Sequence, residues 1–357
     1  MKIAIIGAGI FGVTAAFRLS KNHSVDLFEK NEDIMMASSD INQCRVHRGY
    51  HYPRSISTVK EVLHANISFT KEFGDAIMKN TENYYCVSKH DSLVSSEQFI
   101  EFCDENNLEY EISTPDIINK DSIEICIKVK ENLFDHKKLK SICWKKLKEN
   151  NVNVILNTEA TDSIFEKYDF TIICTYGQTG NLLEKFPEHN KEYQFEVCEK
   201  VFVKLPKIFE NISVLVMDGP FMGIDPVGDT GMFIIGDVVH TVHERNIGKQ
   251  PKINPIFLPL LNKGIIARPP ISKLDLFIES GAKFMPEIKN AEYLGSSFCI
   301  KTVLPNVDKT DERPTLIKKI NDKMVTVFSG KIPTCVEAAK QLENMIKKIE
   351  QENIIKK

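Results

Sequence analysis

The stretch Lys2-Ile3-Ala4-Ile5-Ile6-Gly7-Ala8-Gly9-Ile10-Phe11-Gly12 decides the fold. Lys2 to Ile6 reads as a short buried strand, Gly7 to Gly12 as a turn, and Val13 to Ser20 as the first turns of a helix. Each glycine answers a separate physical demand. Gly7 allows a tight turn, Gly9 lets a diphosphate approach the backbone, and Gly12 lets helix and strand pack closely. The helix N-terminus then turns its N–H groups toward the phosphates. Ser24 to Phe28 reads as a second strand, closed by Glu29 and Lys30. Strand, turn, helix and strand fit within the roughly 30 residues of a right-handed βαβ crossover. A carboxylate at 29 can accept both ribose hydroxyls and disfavours a 2′-phosphate, so the motif predicts FAD or NAD rather than NADP.

Outward from this unit, Lys137 to Asn150 reads as an amphipathic helix. Val152 to Leu156, Glu159 to Phe165 and Phe170 to Cys174 read as strands, the last apolar except at Thr171 and running into Thr175, Tyr176 and Gly177. Phe195 to Leu205, Ile212 to Val216 and Met232 to Ile235 look like a separate antiparallel set, with Gly228-Asp229-Thr230-Gly231 as a hairpin-type turn. Asp225, beside Pro226, reads as part of a turn. Met324 to Phe328 returns as an apolar strand, followed by a final helix from about Val336 to Lys348. The class is therefore α/β, a Rossmann-type domain with an interleaved, mainly antiparallel β-sheet substrate domain (α+β). The expected boundaries are 1–80, 131–186 and 301–357 for the nucleotide domain, and 81–130 and 187–300 for the substrate domain.

With 357 residues the chain is long enough for two joined domains, and a net charge of −3 leaves no electrostatic footprint for nucleic acid. The nine cysteines include no CxxC pair, and no histidines cluster at zinc spacing, so no metal is expected. An odd cysteine count without a secretory leader fits the cytoplasm. No run of 18 apolar residues offers a membrane span. The oligomeric state is left open.

A second constellation runs from Ala37 to Ser55: Ala-Ser-Ser-Asp-Ile-Asn-Gln-Cys-Arg-Val-His-Arg-Gly-Tyr-His-Tyr-Pro-Arg-Ser. It has neither helical nor strand periodicity. Its density of small, polar, aromatic and imidazole groups reads as a wall around a polar ligand.

On these residues the chain resembles the D-amino acid oxidase superfamily of FAD-dependent oxidoreductases, which holds glycine oxidase and sarcosine oxidase. Three separated stretches carry the resemblance: the N-terminal glycine motif with Glu29, the loop from Ser38 to Arg45, and the segment from Asp311-Glu312-Arg313-Pro314 to Ser329-Gly330-Lys331. It implies FAD as the cofactor. It also implies cofactor contacts at Gly7, Gly9, Ile10, Phe11, Gly12, Glu29, Lys30, Ala37, Ser38, Ser39, Asn42, Arg45, Ala160, Thr175, Tyr176, Gly177, Gly330, Lys331, Ile332 and Thr334. A helix N-terminus after Gly330 can stabilise negative charge on a reduced flavin.

The resemblance further implies that Lys301 stands where amino-acid oxidases commonly carry an arginine that pairs with the substrate carboxylate. Lysine keeps the charge and loses the bidentate fork. Cys299 falls where sarcosine-oxidase-like members bond covalently to flavin, and its alternative is a small buried hydrophobe. His47, Tyr50, His51, Arg54 and Lys301 are the substrate-side candidates. Arg54 and Arg245 are cations for an anionic small molecule, and His240 and His243 are placed either near substrate or at the domain surface. The implied reaction is hydride transfer from a small amine, amino acid or hydroxy acid to flavin N5, with oxygen or another acceptor reoxidising the flavin. An NAD-linked dehydrogenase and a non-catalytic flavin-binding partner protein are the alternatives.

Overall fold

Lys2–Ile6, apolar but for its first residue, lies at the centre of a sheet because every one of its apolar side chains is buried. It pairs in parallel with Ser24–Phe28 on one side and Phe170–Ile173 on the other. The computed structural model describes residues 1–307 and 310–355. Among these, the sheet has six strands in the order Leu316–Asn321, Met324–Phe328, Phe170–Ile173, Lys2–Ile6, Ser24–Phe28 and Asn153–Ile155. Only the first pair is antiparallel. The helices Ile10–Leu19, His136–Glu149 and Cys335–Ile355 share one apolar core with this sheet.

A larger, mainly antiparallel sheet of nine strands is built from 82–129 and 193–303. Its longest strands, Tyr193–Lys204 and Glu292–Val303, run antiparallel along their whole length. In the former, Val197, Val201 and Val203 pack into cores on one face. Cys198 on the other face meets Ile41 of the 37–55 loop. That alternation of period two sets the larger sheet against the loop.

The structure redraws several expected elements. The first helix begins at Ile10, so the glycine turn is shorter than Gly7 to Gly12. Glu159 to Phe165 is not a strand: a 3₁₀ helix spans Asp162–Lys167, and Ile164 alone of it is buried. Asp225 is not in a turn but inside the strand Met222–Pro226, fully buried. The final helix runs to Ile355, one face continuing the apolar pattern beyond Lys348. The expected C-terminal segment 301–357 includes residues 308, 309, 356 and 357, which lie outside the described residues.

Candidate cofactor and active site

Gly7 sits at φ +98°, a conformation that L side chains rarely adopt. A Cβ there would stand 2.6 Å from the Cys174 carbonyl oxygen, and one at Gly12 would stand 1.9 Å from the Gly7 oxygen. Gly9 differs: its φ and ψ of −65° and 173° suit any residue, and a Cβ would meet only the Ser39 hydroxyl, at 3.2 Å. So Gly7 and Gly12 are required by packing, whereas Gly9 is a bare wall. The helix that follows has no side-chain cap and no acid in its first turn, leaving its positive end to the cavity.

The cavity running past this helix is about 1500 Å³ counting its open mouth. At one end are Phe28, Glu29, Lys30, Asn31 and Ala160. Glu29, 9% exposed, accepts from the Ala8 N–H at 2.8 Å and from the Asn31 backbone and side-chain N–H groups at 3.0 and 2.6 Å. Gly7, Gly9, Ile10 and Phe11 line the middle. At the far end stand Ala37, Ser38, Ser39, Thr175, Tyr176, Gly177, Gly330, Lys331 and Ile332. Ser39 accepts from the Ile10 N–H at 3.0 Å, and Ser38 donates to the Ile300 carbonyl at 2.9 Å, which ties the loop to the first helix and to the larger sheet.

Of the expected cofactor contacts, Gly12, Asn42, Arg45 and Thr334 are not on this wall. Gly12 packs against Gly7. Asn42 instead closes its own loop, donating to Ser38 and Ser39 and accepting from the Cys44 N–H at 2.7 Å. Thr334 donates to the Lys331 carbonyl at 2.7 Å, a local turn bond.

Arg45 is buried beneath the loop. Its guanidinium reaches Asp225 at 2.7 Å, Glu131 at 3.2 Å and Ser213 at 2.6 Å. Tyr85 and the Arg48 N–H also donate to Glu131, at 2.7 and 2.8 Å. Burial works against the Glu131 carboxylate, but His47, Arg45 and the Arg48 N–H outweigh it and lower its pKa. For Asp225 burial wins and the pKa rises. The network joins the loop to strands of the larger sheet. A sequence reading had no access to it, because its members lie 86 and 168 residues from Arg45.

A second cavity adjoins the first and shares Tyr176, Ser329, Gly330 and Lys331 with it. Its own lining adds Lys301, Thr302, Arg313 and Phe328 among others. Tyr176, at φ +52°, donates to the Thr302 carbonyl at 2.6 Å and stacks on Phe328. Lys301 donates to Glu196 at 2.9 Å, and Arg313 pairs with Asp311. Lys331 stands 4.8 Å over the Tyr52 ring, and burial, with the Arg313 charge, holds its ammonium down to about 7.

Of the substrate-side candidates, Lys301 lines the second cavity, and the other four line neither of these two cavities. His47 and His51 stack 5.6 Å apart against Tyr52, behind Lys331, and burial lowers both below the usual imidazole range. Tyr50 is a core residue whose hydroxyl donates to the Glu109 carbonyl. Arg54 pairs with Asp218, and Arg245 shares Glu196 with Lys301. His243 is buried, bonded to Glu199 at 2.8 Å, so it belongs neither to the substrate side nor to the surface. Cys299 lies against Ile41 and Cys198, off both walls, and burial pushes its thiol up to about 12. Arg313, Asn31 and Asn262 are lining residues that the sequence did not single out. Arg313 lay inside a quoted motif, while the other two carried no signal.

A βαβ unit with a bare glycine wall, an acid closing its second strand and a long cavity defines a dinucleotide-binding fold. Comparison with known proteins makes this specific. Residues 2–179 match the DAO family, described as FAD dependent oxidoreductase. Over 353 residues the chain is 23% identical to the FAD-dependent monooxygenase FPY4 of Fusarium mangiferae, covering 96% of this chain and 90% of that one. The fold is similar to glycine oxidase from Geobacillus kaustophilus, with a TM-score of 0.72, 12% identity and 97% and 94% of the two chains covered. It is also similar to L-alpha-glycerophosphate oxidase from Mycoplasma pneumoniae with FAD bound, with a TM-score of 0.71, 14% identity and coverage of 97% and 94%. This match makes residues 2–179 a DAO-family FAD-dependent oxidoreductase domain, with FAD as its cofactor. No helix among the described residues is long and apolar enough to cross a membrane.

Proposed function

We propose that the protein oxidises a small amine, amino acid or hydroxy acid bearing an anionic group, by hydride transfer to flavin N5. The observation that carries this is the second cavity, whose lining holds three cations, Lys301, Arg313 and Lys331, against one acid, Glu312, and shares Tyr176, Ser329, Gly330 and Lys331 with the cofactor wall. When bound, FAD supplies the hydride acceptor. Its adenosine end is assigned to Glu29, Lys30 and Ala160, its diphosphate to Gly7, Gly9, Ile10 and Phe11, and its ring end to Ala37, Ser38, Ser39, Thr175–Gly177 and Gly330–Ile332.

The three cations divide by position. Lys301 and Arg313 line the second cavity alone and hold the anionic group. Lys331 lines both, and with its ammonium held to about 7 its Nζ can take a proton from a substrate ammonium near neutrality. Tyr176 and Phe328 supply an apolar wall that limits water. His47, His51 and Tyr52 act behind Lys331 by holding its position. The cofactor domain is read as 1–80, 131–186 and 301–357 and the substrate domain as 81–130 and 187–300, although the strand Glu292–Val303 of the larger sheet runs across the boundary at 301. Nine free, buried cysteines support a cytoplasmic setting.

The test is an anaerobic panel of amines, amino acids and hydroxy acids, read as bleaching of the flavin absorbance. Carboxylate-bearing members should reduce the flavin, and Arg313→Met should raise KM more than it lowers kcat. Equal reduction by the matching uncharged amides would overturn the anionic assignment. The monooxygenase name of the full-length relative favours a second reading, which transfer of an atom from labelled dioxygen into product would establish.

A further inference from the structure

The far face of the larger sheet, opposite the 37–55 loop, is covered by the segment 249–273. Phe257 and Leu260 of this segment pack with Val197 and Phe298, and Leu261 and Ile266 bridge to Phe298 and Ser296 of the strand Glu292–Val303. The inner half of the segment is therefore accounted for. Its outer half is not.

From Arg245 to Lys273 the sequence holds six cations, Arg245, Lys249, Lys252, Lys263, Arg268 and Lys273, and no aspartate or glutamate. Arg245 pairs with Glu196, and Lys273 donates to the Val242 carbonyl. The other four are exposed, and none is in an ion pair among the described residues. Between them stand Ile256, Leu258 and Ile265, which are 51%, 55% and 42% exposed. The acids that reach the segment do so through neutral donors and leave a cationic excess. Glu244 accepts from the Asn254 N–H, Glu184 accepts from Gln250, and Asp275 and Glu279 are on the following helix, Leu274–Ala282.

We propose that this layer docks the protein on an anionic lipid surface. Charge complementarity requires an anionic occupant, and the composition distinguishes lipid from protein. Protein interfaces enrich aromatic residues and deplete lysine. Here three of the four unpaired cations are lysines, and the exposed apolar side chains between them are aliphatic. Such a mixture suits the headgroup boundary, where aliphatic side chains enter the acyl edge and lysines meet acidic headgroups. Asn262, between Leu261 and Lys263, lines the cofactor cavity, so docking would bring one wall of that cavity close to the bilayer.

The experiment is cosedimentation of the full FAD-loaded chain with phosphatidylcholine vesicles, with and without about one third phosphatidylglycerol. Binding is expected only to the anionic vesicles and should weaken with salt. Each cation near the surface is worth roughly fivefold in partitioning, so the combined Lys249→Gln, Lys252→Gln, Lys263→Gln and Arg268→Gln variant should bind about 100-fold or more weakly. A second variant, Ile256→Ser with Leu258→Ser and Ile265→Ser, should weaken binding even at low salt. Unchanged flavin absorbance and thermal unfolding would show that both remain folded. No binding of the parent chain to anionic vesicles would overturn the proposal. So would binding that survives in both variants, or equal binding to pure phosphatidylcholine.

Discussion

Replacing Gly9 by alanine separates the two duties that glycines perform in the nucleotide turn. The Gly9 backbone is extended, and the added methyl would meet only the Ser39 hydroxyl, at 3.2 Å. That hydroxyl can rotate by a few tenths of an ångström, so the folding cost is that of alanine for glycine at a helix N-cap, under about 1 kcal/mol. FAD binding is another matter, because in the proposed seating the methyl projects where the diphosphate would approach the helix N-terminus. Hydrogen bonds from backbone N–H groups to charged oxygens contribute about 1.5–3 kcal/mol each. Losing one or two of them weakens FAD binding by roughly 10²–10⁴-fold. The assays are urea unfolding of the flavin-free chain and calorimetric titration with FAD. Gly12→Ala is the contrast, since its methyl would lie 1.9 Å from the Gly7 oxygen and must move backbone, costing about 3 kcal/mol or more of folding stability. If Gly9→Ala bound FAD within about threefold of the parent, the diphosphate would not lie against this turn.

Arg45→Met leaves Glu131 and Asp225 buried without their cation, so urea unfolding should show a loss of about 3–5 kcal/mol, and adding Asp225→Asn should recover part of it. Lys331 is lowered by burial to about 7 in the folded chain, whereas the unfolded lysine keeps its proton to its ordinary value of 10.5. Between those limits the unfolded state binds more protons, so stability contributed by this group rises with pH from about 7 to 10.5, and Lys331→Met should flatten that slope in pH-dependent thermal melts. For an amine substrate, kcat/KM should rise through the same lower limit as Lys331 loses its proton, and the Met variant should lose that step. Cys299 is off both cavity walls and its thiol is pushed up to about 12, so acid precipitation should release all the flavin into the supernatant. Flavin remaining in the pellet would refute this.

The nucleotide half of the molecule was legible because its determinants are local. Strand, glycine turn, helix and Glu29 lie within 30 residues, and each imposes a residue type on its position. The residues around Lys331 were legible in part, since the turn and the helix after it leave a signature in Gly330 and Pro333. What escaped was whatever depends on pairing across the chain. Asp225 beside Pro226 has the local composition of a turn, yet strand pairing with Phe233–Asp237 and the Arg45 charge place it in the interior. Tyr50 and the two histidines have the composition of a ligand wall, but Tyr50 and His51 meet the buried Tyr85 ring and His47 stacks on His51. Glu159 to Phe165 forms no strand because Thr161, Asp162 and Ser163 at its centre favour a turn, from which the 3₁₀ helix Asp162–Lys167 starts.

The buried Arg45 contacts have a further consequence for how the protein would evolve. The same short loop forms one side of the long cavity proposed for the flavin, through Ser38 and Ser39, and is riveted through Arg45 to Ser213 and Asp225 on strands of the larger sheet. Changes at those distant strands would therefore be felt as leaky or tight retention of the coenzyme. Directed evolution for coenzyme retention under heat should accumulate compensating substitutions there, remote from anything the coenzyme touches.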